Sequence, residues 1–174
     1  PTNGSFQAFV TAMRVHEGED AAREWVERMA ANDAKVYPNN MALVQAIADG
    51  EIDAALTNNY YLGRFLASDS NFPVAQRLFE TGDIGNLLNV AGVGILETSD
   101  NKENAQRFAE FLLTPAVQQY FTSAGNEYPV IDGVIPASSL VGVADIREEA
   151  PEVPIDQLSD LEGTLGRHGV RGEV

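Results

Sequence analysis

A chain of 174 residues with 44% hydrophobic content carries enough apolar material for one sizeable core or two small lobes. Its 26 acidic residues face 9 Arg and only 2 Lys, Lys35 and Lys102, and a net charge of -15 sets up a field that repels nucleic acid and anionic membranes. There are no cysteines, which excludes disulfides, thiolate metal sites and a cysteine nucleophile.

Phe6, Phe9, Val10 and Met13 recur at helical spacing, so the chain is expected to open with an amphipathic helix capped by Asn3 or Ser5 and broken at Gly18. A second helix is expected over 19–32, with Ala22, Trp25, Val26 and Met29 as its apolar stripe and Glu19 and Asp20 in its first turn. Residues 35–37 form a short strand candidate. Asn39 or Asn40 caps a third helix carrying Leu43, Val44 and Ile47, which stops at Gly50. The apolar stretch 52–57 is expected to be a buried parallel strand, and residues 61–66 to open a helix.

Residues 72–80 carry a weak strand or turn pattern, followed by the loop Gly82-Asp-Ile-Gly85. The ten-residue apolar run 87–96, with Gly92 and Gly94 inside it, is most simply a long buried strand. Helices are expected over 102–113, with Ala105, Phe108, Ala109 and Leu112 on one face, and from Pro115 through Ala124. Residues 127–142 are turn-rich. Ile155, Leu158, Leu161 and Leu165 suggest a last helix after Pro151 and Pro154.

An acidic, lysine-poor surface suits a halophile, in which salt screens the self-repulsion; an ordinary acidic protein is the other reading. No apolar run reaches membrane-spanning length and no signal peptide is visible. The start at Pro1 rather than Met suggests a piece of a longer protein, so the missing leader says nothing about compartment.

Several chemistries are poorly served. His16-Glu17 begins like a zinc-protease helix, but Asp20 stands where the second His belongs, and His168 is the only other His. His16 reads instead as a helix-end residue near the negative end of the dipole. Gly92-Val-Gly94 is too short for a phosphate loop, and no Ser lies in a nucleophile-elbow pattern. Without a cofactor loop or a catalytic His cluster, an enzyme is disfavoured.

Asn58-Asn59-Tyr60-Tyr61 is the informative stretch. In an open α/β sheet, the end of a strand before a helix is where ligands bind. Adjacent residues in a strand point to opposite faces, so the two phenols converge on one ligand only if the strand has ended. A free phenol titrates at about pH 10, so an anion gains only hydrogen bonds from it, whereas a hard, highly charged cation such as ferric iron displaces the proton and binds phenolate. Packing of one Tyr in the core and the other on the surface is the plain alternative. Asn3-Gly4-Ser5 opens a helix and offers either a cap or a small anion cradle, and Asn40 and Asn58 add neutral donors.

Pro1-Thr-Asn-Gly-Ser-Phe6, the segment from Gly50 to Tyr61, Gly82-Asp83 followed by Val90-Ala-Gly92, and Asn126-Glu-Tyr-Pro129 occur in an order that resembles the C-terminal half of ferric-ion-binding proteins. These are the substrate-binding components of iron(III) ABC importers, of the bacterial-transferrin type. The resemblance implies an α/β, periplasmic-binding-protein-like (class II) lobe with an open mixed sheet flanked by helices and the N-terminal half absent. It implies Fe(III) held by phenolates at Tyr60 and Tyr61, with phosphate or carbonate as a synergistic anion at Asn3, Gly4, Ser5, Asn40 and Asn58. The family's remaining ligands, a His and a Glu, belong to the other half, so weak or absent iron binding is expected here.

By the same resemblance, residues 1–88 form the main ligand-binding lobe, 89–140 cross to the missing lobe, and 141–174 return to the first. Apolar surface exposed on 89–140 is then expected to favour a non-native dimer or strand exchange. The implied partner is an ABC permease, and the implied location is extracytoplasmic, in the periplasm or at the cell surface, with a lipid anchor left open. A phosphonate, thiamine or other small anion bound without iron is the competing cargo.

Overall fold

The computed structural model describes residues 3–140, 143–159 and 163–164. Its helices are α1 (Gly4–Glu17), α2 (Glu19–Ala31), α3 (Asn40–Ala48), α4 (Asn59–Ser68), α5 (Lys102–Leu112), α6 (Pro115–Gly125) and α7 (Val143–Glu149), with 3-10 turns at Ile84–Asn86 and Ile155–Ser159. Two compact units emerge, one drawn from residues 1–37, 77–89 and 147–174 and the other from 38–76 and 90–146. They are groupings of this chain by itself.

In the first unit α1 packs on α2. Asn3 caps α1 by accepting a hydrogen bond from the Phe6 amide at 3.0 Å, which satisfies one of the donors that a helix start leaves open. Gly18 separates the two helices at φ 99°, a conformation that favours glycine; its amide donates to the Arg14 carbonyl and its carbonyl accepts from the Ala22 amide, both at 3.1 Å. The apolar stripes meet as the spacing requires: Ala12, Met13, Ala22 and Ile84 form the core, flanked by Phe9, Trp25, Leu87, Val153 and Leu158. Phe9 meets Trp25 edge-on with centroids 5.5 Å apart, a favourable geometry for the ring quadrupoles.

Asn86, 4% exposed, organises the loop expected around 82–85. Its side-chain oxygen accepts from the Phe79 amide at 2.9 Å, and its amide nitrogen lies 3.0–3.3 Å from the carbonyls of Phe79, Glu80 and Glu149. Removing such a hub strands several peptide groups away from water. Asn86→Ala is therefore expected to destabilise the chain by about 2–3 kcal/mol, measured as a lowered urea midpoint. Asn86→Asp, which turns a carboxylate oxygen toward those three carbonyls in place of the donor, should cost at least as much.

In the second unit α3 packs on α4 and α5 on α6. Asn39, not Asn40, caps α3, accepting from the Ala42 amide at 2.9 Å. Pro115 takes the first position of α6, where a missing amide hydrogen costs nothing. The return segment after α6 is tied back by glutamine and threonine: Gln118 accepts from the Val130 amide and donates to the Leu112 carbonyl, both at 2.9 Å, while Thr122 accepts from the Ala137 amide at 2.9 Å.

The expected strands are where structure and sequence part. Among the described residues no β-ladder forms at 35–37, 52–57, 72–80 or 87–96, so the mixed sheet is not seen. Nor are the two principal candidates buried. Leu56 is 40% exposed, and every residue from Leu88 to Thr98 is exposed, with Val93 at 62% and Leu96 at 75%. A ladder needs a second strand about 4.8 Å away; none of the described segments is paired with these runs, so their apolar side chains lack cover. The last helix is realised in its described part as the 3-10 turn Ile155–Ser159; Leu161 and Leu165 lie outside the described residues. Among the described residues no helix is long and apolar enough to cross a membrane.

Candidate metal centre

The first turn of α4 carries the phenol pair. Asn58 holds the N-cap position with extended dihedrals, φ -68° and ψ 140°, and its side chain does not cap the helix. Tyr60 and Tyr61 therefore sit on a helix start, as the sequence reading required, although no strand leads into it. Leu62 and Gly63 face inward and are buried, and further along Phe65 stacks on Phe72 with centroids 4.4 Å apart. Those contacts fix the helix while the two phenols stay half-buried.

Successive residues of a helix do not face each other at the backbone. The tyrosine side chains are long enough to close the gap: their centroids are 4.5 Å apart with the planes tilted by 41°. Arg64, at i+4 from Tyr60 and i+3 from Tyr61, places its guanidinium carbon 5.5 and 5.2 Å from the two ring centres. That is cation–π range for both rings.

The environment of Tyr60 keeps it a phenol. Burial pushes its pKa up, reinforced by a hydrogen bond with Tyr61, the charge of Tyr61 and the Glu127 carboxylate, while Arg64 pulls it down; the result is about 12. At neutral pH it is a neutral donor and acceptor, and a metal that uses it as phenolate must displace the proton. Two adjacent oxygens of this kind are hard donors, fitted to a hard, highly charged cation and poorly to a soft one. Among the described residues no group of three or more His, Asp and Glu side chains is placed to hold a metal.

The donors assigned to an anion fall into two groups. Asn3, Gly4 and Ser5 lie at the start of α1, in the first unit, with Asn3 engaged as a cap. Asn40 is the first residue of α3 and Asn58 the N-cap of α4; both belong, with Tyr60 and Tyr61, to the second unit. Sequence reading gave no role beside the phenols to three of their neighbours, Arg64, Asn126 and Glu127. Arg64 was detectable from its helical spacing to the tyrosines. The Glu127 charge, and the hydrogen bond that Asn59 donates to the Asn126 carbonyl at 3.1 Å, join positions 67 or so apart and leave no local signal.

The matching family model is that of bacterial extracellular solute-binding proteins, and it spans residues 4–146; the chain belongs to that family. It is similar to the major ferric iron-binding protein of Neisseria meningitidis serogroup A, with 35% identity over 164 residues, 93% of this chain and 49% of the relative. It is also similar to iron uptake protein A1 of Synechocystis, with 30% identity over 152 residues, 82% of this chain and 42% of the relative. Iron-bound HitA from Pseudomonas aeruginosa matches in structure with a TM-score of 0.88 and 28% identity, covering 99% of this chain and 56% of that one. The chain spans about half the length of the curated relatives it matches.

Proposed function

We propose that the chain is the part of an iron(III) ABC importer's substrate-binding protein that supplies the two phenolate ligands, Tyr60 and Tyr61. The observation that carries this reading is the pair of rings 4.5 Å apart on the first turn of α4, in a family member whose relatives bear ferric iron-binding names. Ferric iron is cargo here, captured outside the cytoplasm and handed to a membrane permease without catalysis. Two phenolates leave an Fe(III) ion with positive charge, which a small anion, phosphate or carbonate, neutralises. We assign that anion to Asn40 and Asn58, which share the phenols' unit and stand at helix N-termini, where backbone amides and the dipole favour negative charge; Asn3, Gly4 and Ser5, at the start of α1, offer the same kind of donor in the other unit.

The reading also places this chain in a class II periplasmic-binding fold with a mixed sheet. The exposed apolar side chains of Leu88, Val90, Val93, Ile95 and Leu96 support a covered position for that run in a two-lobed protein. With the remaining ligands expected from the other half, this chain alone binds iron weakly, and excess chelate is needed to see it.

The test is a titration with excess ferric nitrilotriacetate read as tyrosinate-to-iron absorption in the visible. Because each phenol must lose a proton, and Tyr60 holds its proton up to about 12, affinity should rise with pH by roughly tenfold per unit for each proton released. Absence of visible absorption at any pH, with phosphate or a phosphonate alone raising the melting temperature, would replace the iron reading with that of an anion-binding protein.

A further inference from the structure

The start of a helix is its weakest part, because its first amides have no carbonyl one turn back to hold them. α1 and α3 are pinned there by the side chains of Asn3 and Asn39. α4 has no such pin from Asn58, yet its first turn carries the phenols. The compensating contacts come from the far end of another helix. α6 stops at Asn126, which adopts a left-handed conformation, φ 57° and ψ 34°, and sends its amide back to the Phe121 and Thr122 carbonyls. Asparagine tolerates that conformation better than most residues, but glycine is the commoner choice, so a reason for a side chain is needed.

That side chain is buried and engaged through its oxygen and its packing. Asn126 is 6% exposed. Its Oδ1 accepts from the Ser139 hydroxyl at 2.7 Å, and its main-chain carbonyl accepts from the Asn59 side-chain amide at 3.1 Å. The side chain lies so close to Gly63 that a Cβ there would fall 2.4 Å from Asn126 Cγ and 2.5 Å from Oδ1. Residues 59 and 63 are one helical turn apart and bracket Tyr60 and Tyr61. One residue thus holds α4 on both sides of the phenol pair, by a hydrogen bond at the first helical residue and by close packing one turn later.

We propose that Asn126 is the positioning residue of the phenol pair, and that the Asn59 and Gly63 contacts through which it acts set the rotation and depth of the first turn of α4. Neither Asn126 nor Asn59 need touch the cargo. Metal ligands must hold productive geometry to a few tenths of an ångström, and the groups that orient them typically change affinity 10–100-fold when removed. The latch rests on the iron reading for its purpose, but its geometry is independent of iron.

Two variants test it: Asn59→Ala, which deletes the donor at a part-buried position, and Asn126→Gly, which keeps the left-handed turn and removes the packed side chain. The iron-free readout is the NMR ring signals of selectively labelled tyrosine; the second readout is affinity for ferric nitrilotriacetate. Expected are altered, motionally averaged signals for Tyr60 and Tyr61 with those of Tyr37 and Tyr120 unchanged, a small change in melting temperature for Asn59→Ala, and about tenfold weaker ferric binding. Unchanged Tyr60 and Tyr61 signals in both variants would overturn the latch, as would altered signals with unaltered ferric affinity. If the parent chain gains no ferric absorption, the iron reading fails; altered ring signals in Asn59→Ala would then still support the latch as a device that orients the two phenols.

Discussion

Tyr60→Phe and Tyr61→Phe together are expected to abolish the tyrosinate-to-iron absorption, and each alone to weaken ferric binding more than about a hundredfold, since orienting groups around a metal already cost 10–100-fold. The combined loss should exceed the product of the single losses. In the parent, both phenols must ionise side by side, with ring centres 4.5 Å apart, and each phenolate makes the other harder to form. The hydrogen bond that the protonated Tyr60 makes with Tyr61 and the charge of Tyr61 both push the Tyr60 pKa upward. Removing one phenol therefore relieves a penalty on the survivor and masks part of the ligand's worth; removing both leaves nothing to relieve. Competition against nitrilotriacetate, with protein-bound iron counted after equilibrium dialysis, measures the cycle for all four proteins. Single losses that multiply to the double loss would mean that the two phenols bind independently, and absorption that survives the double substitution would place the iron elsewhere.

The helices of this chain are written locally, which is why they were legible. Asn3, Gly18, Gly50 and Pro115 punctuate the sequence where α1, α3 and α6 begin or end, because caps, glycine turns and a proline at the first helical position act within four residues. The choice between Asn39 and Asn40 as the α3 cap could not be made from spacing, since either offers the same amide one residue apart. The apolar run 87–96 signals that these side chains belong under cover, but says nothing of what covers them; in the structure Leu87 flanks the core and Leu88 to Leu96 are exposed. Burial of a strand depends on a partner supplied from elsewhere in the fold, and a one-dimensional pattern does not name it.

The phenol pair shows the same division between local and distant causes. Two adjacent tyrosines are visible in any reading of the chain, and a helix start at Asn58 brings them to one side. What shapes the pair's chemistry comes partly from its own helix, through Arg64, and partly from the segment after α6, through Asn126 and Glu127. Asn126-Glu-Tyr-Pro129 stood out as a motif without a role. In the structure its first residue meets Asn59 by a hydrogen bond and Gly63 by close contact, the contacts on which the proposed latch rests.

Gly63→Ala is expected to destabilise the protein although it improves a helix. Alanine in place of a glycine inside a helix ordinarily gains about 1 kcal/mol. At this position the new Cβ would meet Asn126 Cγ, Oδ1 and Cβ at 2.4, 2.5 and 2.8 Å, and Asn126 has little freedom to retreat, being held by its cap hydrogen bonds, by Ser139 and by Asn59. Overpacking of that kind costs roughly 1–3 kcal/mol and more when backbone must move, so the net should be a loss of about 1–2 kcal/mol. In an Asn126→Gly background the left-handed turn survives, the obstructing atoms are gone, and the same substitution should become stabilising by up to about 1 kcal/mol. Urea unfolding of the four proteins gives the coupling directly. An effect of the same sign and size in both backgrounds would mean that α4 and Asn126 are not in contact as described, and that the first turn carrying Tyr60 and Tyr61 is held by something else.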